Sequence, residues 1–223
     1  MTPILYPDLQ LLDTWTEEGD SPGAHGLCKI TPGTPTTPML LGFTPAKRSP
    51  GQLWDNAYVL HRNAASPATN FAYWTEISFP TAQDIANCEA FEMDFQQSDG
   101  KTIFNCGWQF LFGHGLRIWN KSAKGTKVDP WGNTVLPASA VAFTPGIPKR
   151  ITALFSRSSV LGFAKKLTYI GISIDGLWTP LNITYPAVPK VENPYVNCAV
   201  QLDSKGQGAP INCAVHECTL LGY

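Results

Sequence analysis

Apolar and polar side chains alternate strictly through Phe91-Glu92-Met93-Asp94-Phe95-Gln96-Gln97. As a strand, this run puts Phe91, Met93 and Phe95 on one face and Glu92, Asp94 and Gln96 on the other. The first face is apolar enough to lie on a core. The second presents two carboxylates two residues apart, roughly 7 Å between their Cα atoms. The same pattern, bounded by turn residues, predicts further strands at 38–43, 56–62, 71–78, 89–97, 103–112, 115–120, 150–156, 167–175, 195–203 and 211–221. Helical periodicity is confined to a turn near 81–86. Prolines and glycines punctuate 19–51, which is expected to be loop-rich, and 121–148 reads as an irregular insertion carrying Trp131. No internal repeat or low-complexity block interrupts the chain. The expectation is one all-β domain over residues 1–223.

The strand faces are predicted by the turns between them. Phe112-Gly113-His114-Gly115 has the composition of a tight turn that folds 107–112 back on 115–120. Centring a two-residue turn there sets Trp108 opposite Trp119 and Phe110 opposite Arg117 on one face, with Gln109, Leu111, Leu116 and Ile118 on the other. The expected outcome is an aromatic face carrying an arginine. Trp rings pack on the apolar C–H faces of sugars, while Arg and carboxylates fix hydroxyls. The competing expectation is that these aromatics form a buried layer.

At the C-terminal end, Val196, Cys198, Val200 and Leu202 share one face, and Tyr195, Asn197, Ala199, Gln201 and Asp203 the other. A turn near Lys205-Gly206 that returned 211–221 antiparallel would place Cys198 opposite Cys213, a cross-strand disulfide adding roughly 3 kcal/mol in the chain-entropy model. The partners of Cys28, Cys88, Cys106 and Cys218 stay open.

Composition narrows the function classes. A net charge of −1 and a pI near 6.4 argue against nucleic acid and anionic membranes as partners, since both demand a basic face. No apolar run approaches the ~18 residues of a spanning helix, so no membrane insertion is expected. Only 15% of residues are charged, below the usual level of about 25%, and aromatics, Gly and Pro take their place. With six cysteines and no Cys-x-x-Cys pair, this composition fits a disulfide-bearing secreted protein whose signal has been removed.

Other signals are thin. His216-Glu217-Cys218 hints at metal ligation, but a structural role is the stronger expectation. Asn120-Lys121-Ser122 and Asn182-Ile183-Thr184 match the N-glycosylation sequon. No Gly-x-Ser-x-Gly elbow or nucleotide loop is present.

Several runs together carry a resemblance: Phe91–Gln97, Gly107-Trp108-Gln109, Leu116-Arg117-Ile118-Trp119-Asn120, Ile172-Ser173-Ile174-Asp175-Gly176, Val200-Gln201-Leu202-Asp203, and a final strand ending in Tyr223. In this order they resemble the laminin-G-like, concanavalin A-type jelly-roll domains of secreted, acidobacterial-type proteins, over about the last 140 residues. The resemblance implies a two-sheet antiparallel jelly-roll β-sandwich more firmly than it implies a function. The carboxylate strand is also similar to the catalytic strand of jelly-roll glycoside hydrolases, where Glu-x-Asp-x-Glu or Glu-x-Asp-x-x-Glu carries nucleophile, helper and acid/base. That similarity makes Glu92 the nucleophile and Asp94 its helper, and puts Gln96 or Gln97 where the acid/base belongs. An amide has no proton to give, and losing general acid catalysis costs about 10²–10⁴-fold.

The expected function is therefore a secreted, lectin-like carbohydrate-binding domain, with Glu92, Asp94, Gln96, Trp108, Phe110, Arg117 and Trp119 lining its concave sheet and a polysaccharide or glycan as partner. One alternative is a polysaccharide-active hydrolase or lyase on the same groove, with His114 and Arg117 as lyase ingredients. Another is a self-associating extracellular structural subunit. No cofactor is required. Jelly rolls commonly hold a structural Ca²⁺ through oxygen ligands, for which Asp55, Asp175 and Asp203 are the candidates here, without an Asp/Asn/Gly-dense loop to mark the site.

Overall fold

The computed structural model describes residues 4–223 except 13, 21–25, 48–55, 64–66, 120–130 and 159–164. Its strands are β1 (Ile4–Tyr6), β2 (Thr16–Asp20), β3 (Leu27–Thr31), β4 (Met39–Thr44), β5 (Asn56–Asn63), β6 (Asn70–Ser78), β7 (Cys88–Ser98), β8 (Thr102–Leu111), β9 (Gly115–Trp119), β10 (Trp131–Pro137), β11 (Lys149–Arg157), β12 (Lys166–Ile174), β13 (Leu177–Pro186), β14 (Val188–Pro189), β15 (Tyr195–Ser204) and β16 (Ile211–Gly222). They form two antiparallel sheets. The first has the order β13-β12-β11-β6-β16-β4-β3, with β1 also on β16; the second runs β10-β9-β8-β7-β15-β5-β2, with β14 also on β8.

The sheets meet through the apolar face of each strand. Phe91, Met93 and Phe95 of β7 are buried in the core, as their alternation predicts, with Phe95 against Phe71 of β6 and Phe155 of β11 from the other sheet. The Phe95 ring lies 4.5 Å from Phe155 and 4.8 Å from Phe71, centroid to centroid. Aromatic pairs at such separations add roughly 0.5–1.5 kcal/mol each beyond their buried area. The connection between β6 and β7 holds the helical turn α1 (Ala82–Asn87), started by a reciprocal cap: Asp84 N donates to Thr81 Oγ1, and Thr81 N donates to Asp84 Oδ2.

All ten expected strands are present within a residue or two. The expectation was silent on β1, β2, β13 and the two-residue β14, and it expected no strand where β3 and β10 form. β13 contains Pro180 and Pro186, which read as breakers. It sits at the end of its sheet, where a residue lacking an N–H costs no ladder bond. Asp175 (φ 50°) and Gly176 (φ 86°) make the left-handed two-residue turn that joins β12 to β13. β3 and β4 lie within the stretch expected to be loop-rich, and β10 within the expected insertion.

One expectation is overturned here. Cys198 and Cys213 do not face each other across a hairpin, and both are free thiols. Cys198 on β15 pairs with Phe95 and His61, whereas Cys213 on β16 pairs with Leu41. The segment after Ser204 crosses from one sheet to the other instead of returning beside its own strand, because β15 and β16 each bury an apolar face from opposite sides of the sandwich.

Candidate functional site

The outward face of the second sheet is assembled from the polar halves of alternating strands. Register places Gln201 of β15, Glu92 of β7, Gln109 of β8 and Arg117 of β9 in one row, ending at Thr134 of β10. The next row holds Ala199, Asp94 and Gly107, and the third Asn197, Gln96 and Asn105. Glu92 is only 4% exposed, so each of its oxygens needs a partner.

Those partners are specific. Gln109 Nε2 donates to Glu92 Oε1 and, at 3.3 Å, to Asp203 Oδ2. Gln109 Oε1 accepts from both Nε (2.9 Å) and Nη2 of Arg117. Gln201 Nε2 donates to Asp203 Oδ1 at 2.8 Å. Glu92 and Asp203 also hydrogen-bond to each other. Burial, then the Asp203 and Asp94 carboxylates, hold the Glu92 carboxyl well above its ordinary range. Asp203 is also raised, chiefly by burial. Asp94 is pushed up to about 8 by burial and by the Asp203 carboxylate. Three carboxyl groups so close do not all ionise at neutral pH.

Beside this cluster the sheet opens. Residue pairing between β8 and β9 ends at Trp108↔Ile118. There Tyr169, reaching through from β12, accepts the Gly107 N–H at its hydroxyl (3.0 Å) and donates to the Trp119 carbonyl (3.0 Å). Gly107, buried and without a side chain, thus stands between Asp94, its partner on β7, and Trp119. Further along the same edge, Asn105 and Trp119 line a small crevice with Ile103, Leu167, Tyr185 and Val188. At the other end of β7, Tyr195 Oη donates to Gln96 Oε1.

The structure brings Glu92, Asp94, Gln96, Arg117 and Trp119 onto one face, and it removes Trp108 and Phe110 from it. Both are fully buried. The Trp108 ring lies 5.3 Å from those of Phe155 and Tyr169. The cause is the turn. Phe112, Gly113 and His114 make a three-residue connection, Leu111 pairs with Gly115, and His114 N donates to Leu111 O at 3.0 Å. Gly113 (φ 79°) and Gly115 (φ 119°) take the positive φ that this geometry needs. One residue more in the turn than expected moves every side chain of β8 to the opposite face relative to β9. Gln109, assigned to the apolar face from sequence, becomes the hub of the polar one.

Asp203, Gln201 and Asn197 were seen to share a face with one another, but nothing in the sequence placed β15 beside β7. Its parity was the available signal. Other candidates lie elsewhere. Asp175 accepts from Lys149 Nζ and Arg150 N, both at 2.9 Å, Asp203 belongs to the cluster above, and Asp55 and Asn120 lie outside the described residues. Among the described residues no group of three His, Cys, Asp or Glu side chains is arranged to hold a metal ion. His114 is exposed in its turn. His216 is hydrogen-bonded to Ser78 Oγ at 2.9 Å, in the other sheet. Among the described residues no helix is long and apolar enough to cross a membrane.

No protein-family model and no curated protein matches the chain. Solved structures do. The Emp47p carbohydrate recognition domain is 10% identical, covering 98% of this chain and 94% of that one, with a TM-score of 0.53. The Emp46p carbohydrate recognition domain in metal-free form is 8% identical over 96% and 95%, with a TM-score of 0.50. An endo-β-1,4-glucuronan lyase from the fungus Trichoderma reesei is 11% identical over 96% and 94%, with a TM-score of 0.52. At these identities the likeness is one of fold: the chain is a concanavalin A-like jelly roll.

Proposed function

We propose that this chain is a secreted, lectin-like domain that binds a glycan on the polar face of its β10-β9-β8-β7-β15-β5-β2 sheet. The observation that carries the proposal is the juxtaposition of Asp94, Gly107 and Trp119 on that face. An indole offers a flat apolar surface to a sugar ring, and the carboxyl addresses hydroxyls. The flanking rows add Gln109, Arg117, Gln96 and Asn105, the small set of convergent polar groups expected of a ligand face. Glu92 and Asp203, hydrogen-bonded to each other, hold Gln109 from within the sheet.

The fold supports the proposal, since carbohydrate recognition domains are built on it. Secretion is part of the same proposal and rests on the low charge and high aromatic content. A kinship with laminin-G-like domains of secreted proteins rests on the quoted runs alone.

A second reading, a polysaccharide lyase or hydrolase on the same face, draws on one observation: burial and the neighbouring carboxylates hold the Glu92 carboxyl well above its ordinary range, the direction a general acid requires. Against a retaining hydrolase, Glu92 is hydrogen-bonded to Asp203, closer than the about 5–5.5 Å between the carboxyls of such a pair.

The test is incubation of the purified protein with soluble and insoluble polysaccharides, scoring both retention and release of reducing or unsaturated ends. Retention without products, weakened at least tenfold in Trp119→Ala, is the expected result. Products that vanish in Glu92→Gln would establish the enzyme instead. No retention on any glycan would end the binding proposal.

A further inference from the structure

The two sheets are crossed at their centres by a pair of cysteines. Cys198 lies on β15, flanked in its sheet by β7 and β5, and Cys218 on β16, which is flanked by β6 in the other. Both side chains are fully buried in the same core. The two thiols are hydrogen-bonded to each other. Tyr73 locates them at one spot: Cys218 Sγ is 3.7 Å from Tyr73 Oη, which in turn donates at 3.1 Å to the carbonyl of Ala199, the neighbour of Cys198.

The other thiols have different company. Cys88 Sγ donates to Ala90 O at 3.1 Å, Cys213 Sγ to Ala214 O at 3.9 Å, and Cys106 is hydrogen-bonded to the Tyr169 hydroxyl. Cys28 is only partly buried.

We propose that Cys198 and Cys218 are a disulfide-forming pair, joining the two sheets covalently when the chain folds in the presence of a small-molecule disulfide such as oxidised glutathione. The thiolate of one cysteine attacks the glutathione disulfide, forming a mixed disulfide and releasing one glutathione thiol. The other cysteine then attacks the protein sulfur and releases the second. The protein loses two thiol protons and two electrons, and one oxidised glutathione becomes two reduced ones. Exchange requires a thiolate, and in the closed sandwich both sulfurs are shielded from water. The bond therefore forms before the sheets close, during folding. Once made, it anchors β15, which carries Asp203, Gln201 and Asn197 on its opposite face, to the far sheet. The inference stands independently of glycan binding.

The test is refolding of the reduced full-length chain in a buffer of reduced and oxidised glutathione, followed by alkylation in denaturant. Trypsin and a Glu-specific protease then cut after Lys205, Glu192 and Glu217, separating Cys198, Cys213 and Cys218 onto different peptides. The expected product is peptide 193–205 linked to peptide 218–223. In the intact protein, a reductant should lower the melting midpoint by about 5–10 °C, the effect of opening a loop of this length in a domain of this size. That reductant-dependent shift should vanish in both Cys198→Ala and Cys218→Ala. Full alkylation of all six cysteines in the folded product, or linkage of Cys198 to any other cysteine, would overturn the proposal. The peptide map needs no variant, so it decides the matter even if the substitutions fold poorly.

Discussion

Gln109 holds Glu92 through its side-chain nitrogen while its oxygen is held by Arg117. A neutral amide thus stands between a guanidinium and a buried carboxyl, each taking the end whose polarity it requires. Removing the amide leaves Glu92 and Asp203 without a shared donor in a place with little water. Gln109→Leu should therefore cost about 1–3 kcal/mol of folding stability, the penalty for unsatisfied buried polar groups, read as a lower urea midpoint at unchanged m-value. A loss below about 0.5 kcal/mol, the scale of ordinary surface substitutions, would show that the amide is not holding the cluster.

The Tyr169 hydroxyl performs the corresponding task for the main chain. It satisfies the Gly107 N–H and the Trp119 carbonyl where residue pairing between β8 and β9 has ended. Tyr169→Phe keeps the ring packed against Trp108 but takes away the acceptor of the buried Gly107 N–H. The expected consequence is a destabilisation of about 1–3 kcal/mol, with faster hydrogen exchange localised to the Gly107 amide. Unchanged protection at Gly107 would refute this role.

Much of the architecture is written in alternation, and what is not is written in turns and pairings. The face of β7 was legible because Phe91, Met93 and Phe95 repeat every second residue in an apolar run, and burial enforces that period. β13 escaped because two prolines mark a breaker in sequence, whereas an edge strand tolerates them. The error at Trp108 came from one residue of turn length, since the glycines of Phe112-Gly113-His114-Gly115 allow either a two- or a three-residue connection. Asp203 was missed for a different reason: long-range strand order depends on the competition of all faces for one core, which no local pattern records.

The carboxyl cluster makes stability depend on pH. Asp94, pushed up to about 8 by burial and by Asp203, binds its proton more tightly folded than unfolded. Its contribution is fully present below the unfolded value near 4 and is lost as pH rises through about 8. Glu92 and Asp203, both raised, act in the same direction. Asp99 acts oppositely: burial pushes it up, but Lys165 and the N–H groups of Lys101 and Thr102 outweigh that and hold it low. Its contribution is lost only on acidification through its folded value. Urea unfolding at pH 5, 6, 7 and 8 should show stability falling toward alkaline pH, by at most about 1.4 kcal/mol per pH unit for each such group. Asp94→Asn should flatten that slope, and an unaltered slope in this variant would contradict the assignment.

Trp108 and Trp119 separate the two faces of one sheet, and so test the register that the turn imposes. Trp108 is fully buried among Phe155 and Tyr169, so Trp108→Ala opens a cavity at the centre of the sandwich and should cost about 3–5 kcal/mol. Trp119 lies at the end of β9 on the polar side, partly exposed and with its carbonyl tied to Tyr169. Trp119→Ala leaves that main-chain bond in place and should cost no more than about 1 kcal/mol, the centre of the range for single substitutions. Chemical denaturation of the two variants in parallel gives the comparison directly. Equal losses would mean that both indoles are structural, and would move any ligand contact on this face to Arg117 and the carboxyl rows. A larger loss at Trp119 than at Trp108 would reverse the faces of both β8 and β9, since the three-residue turn fixes the two indoles on opposite sides of the sheet.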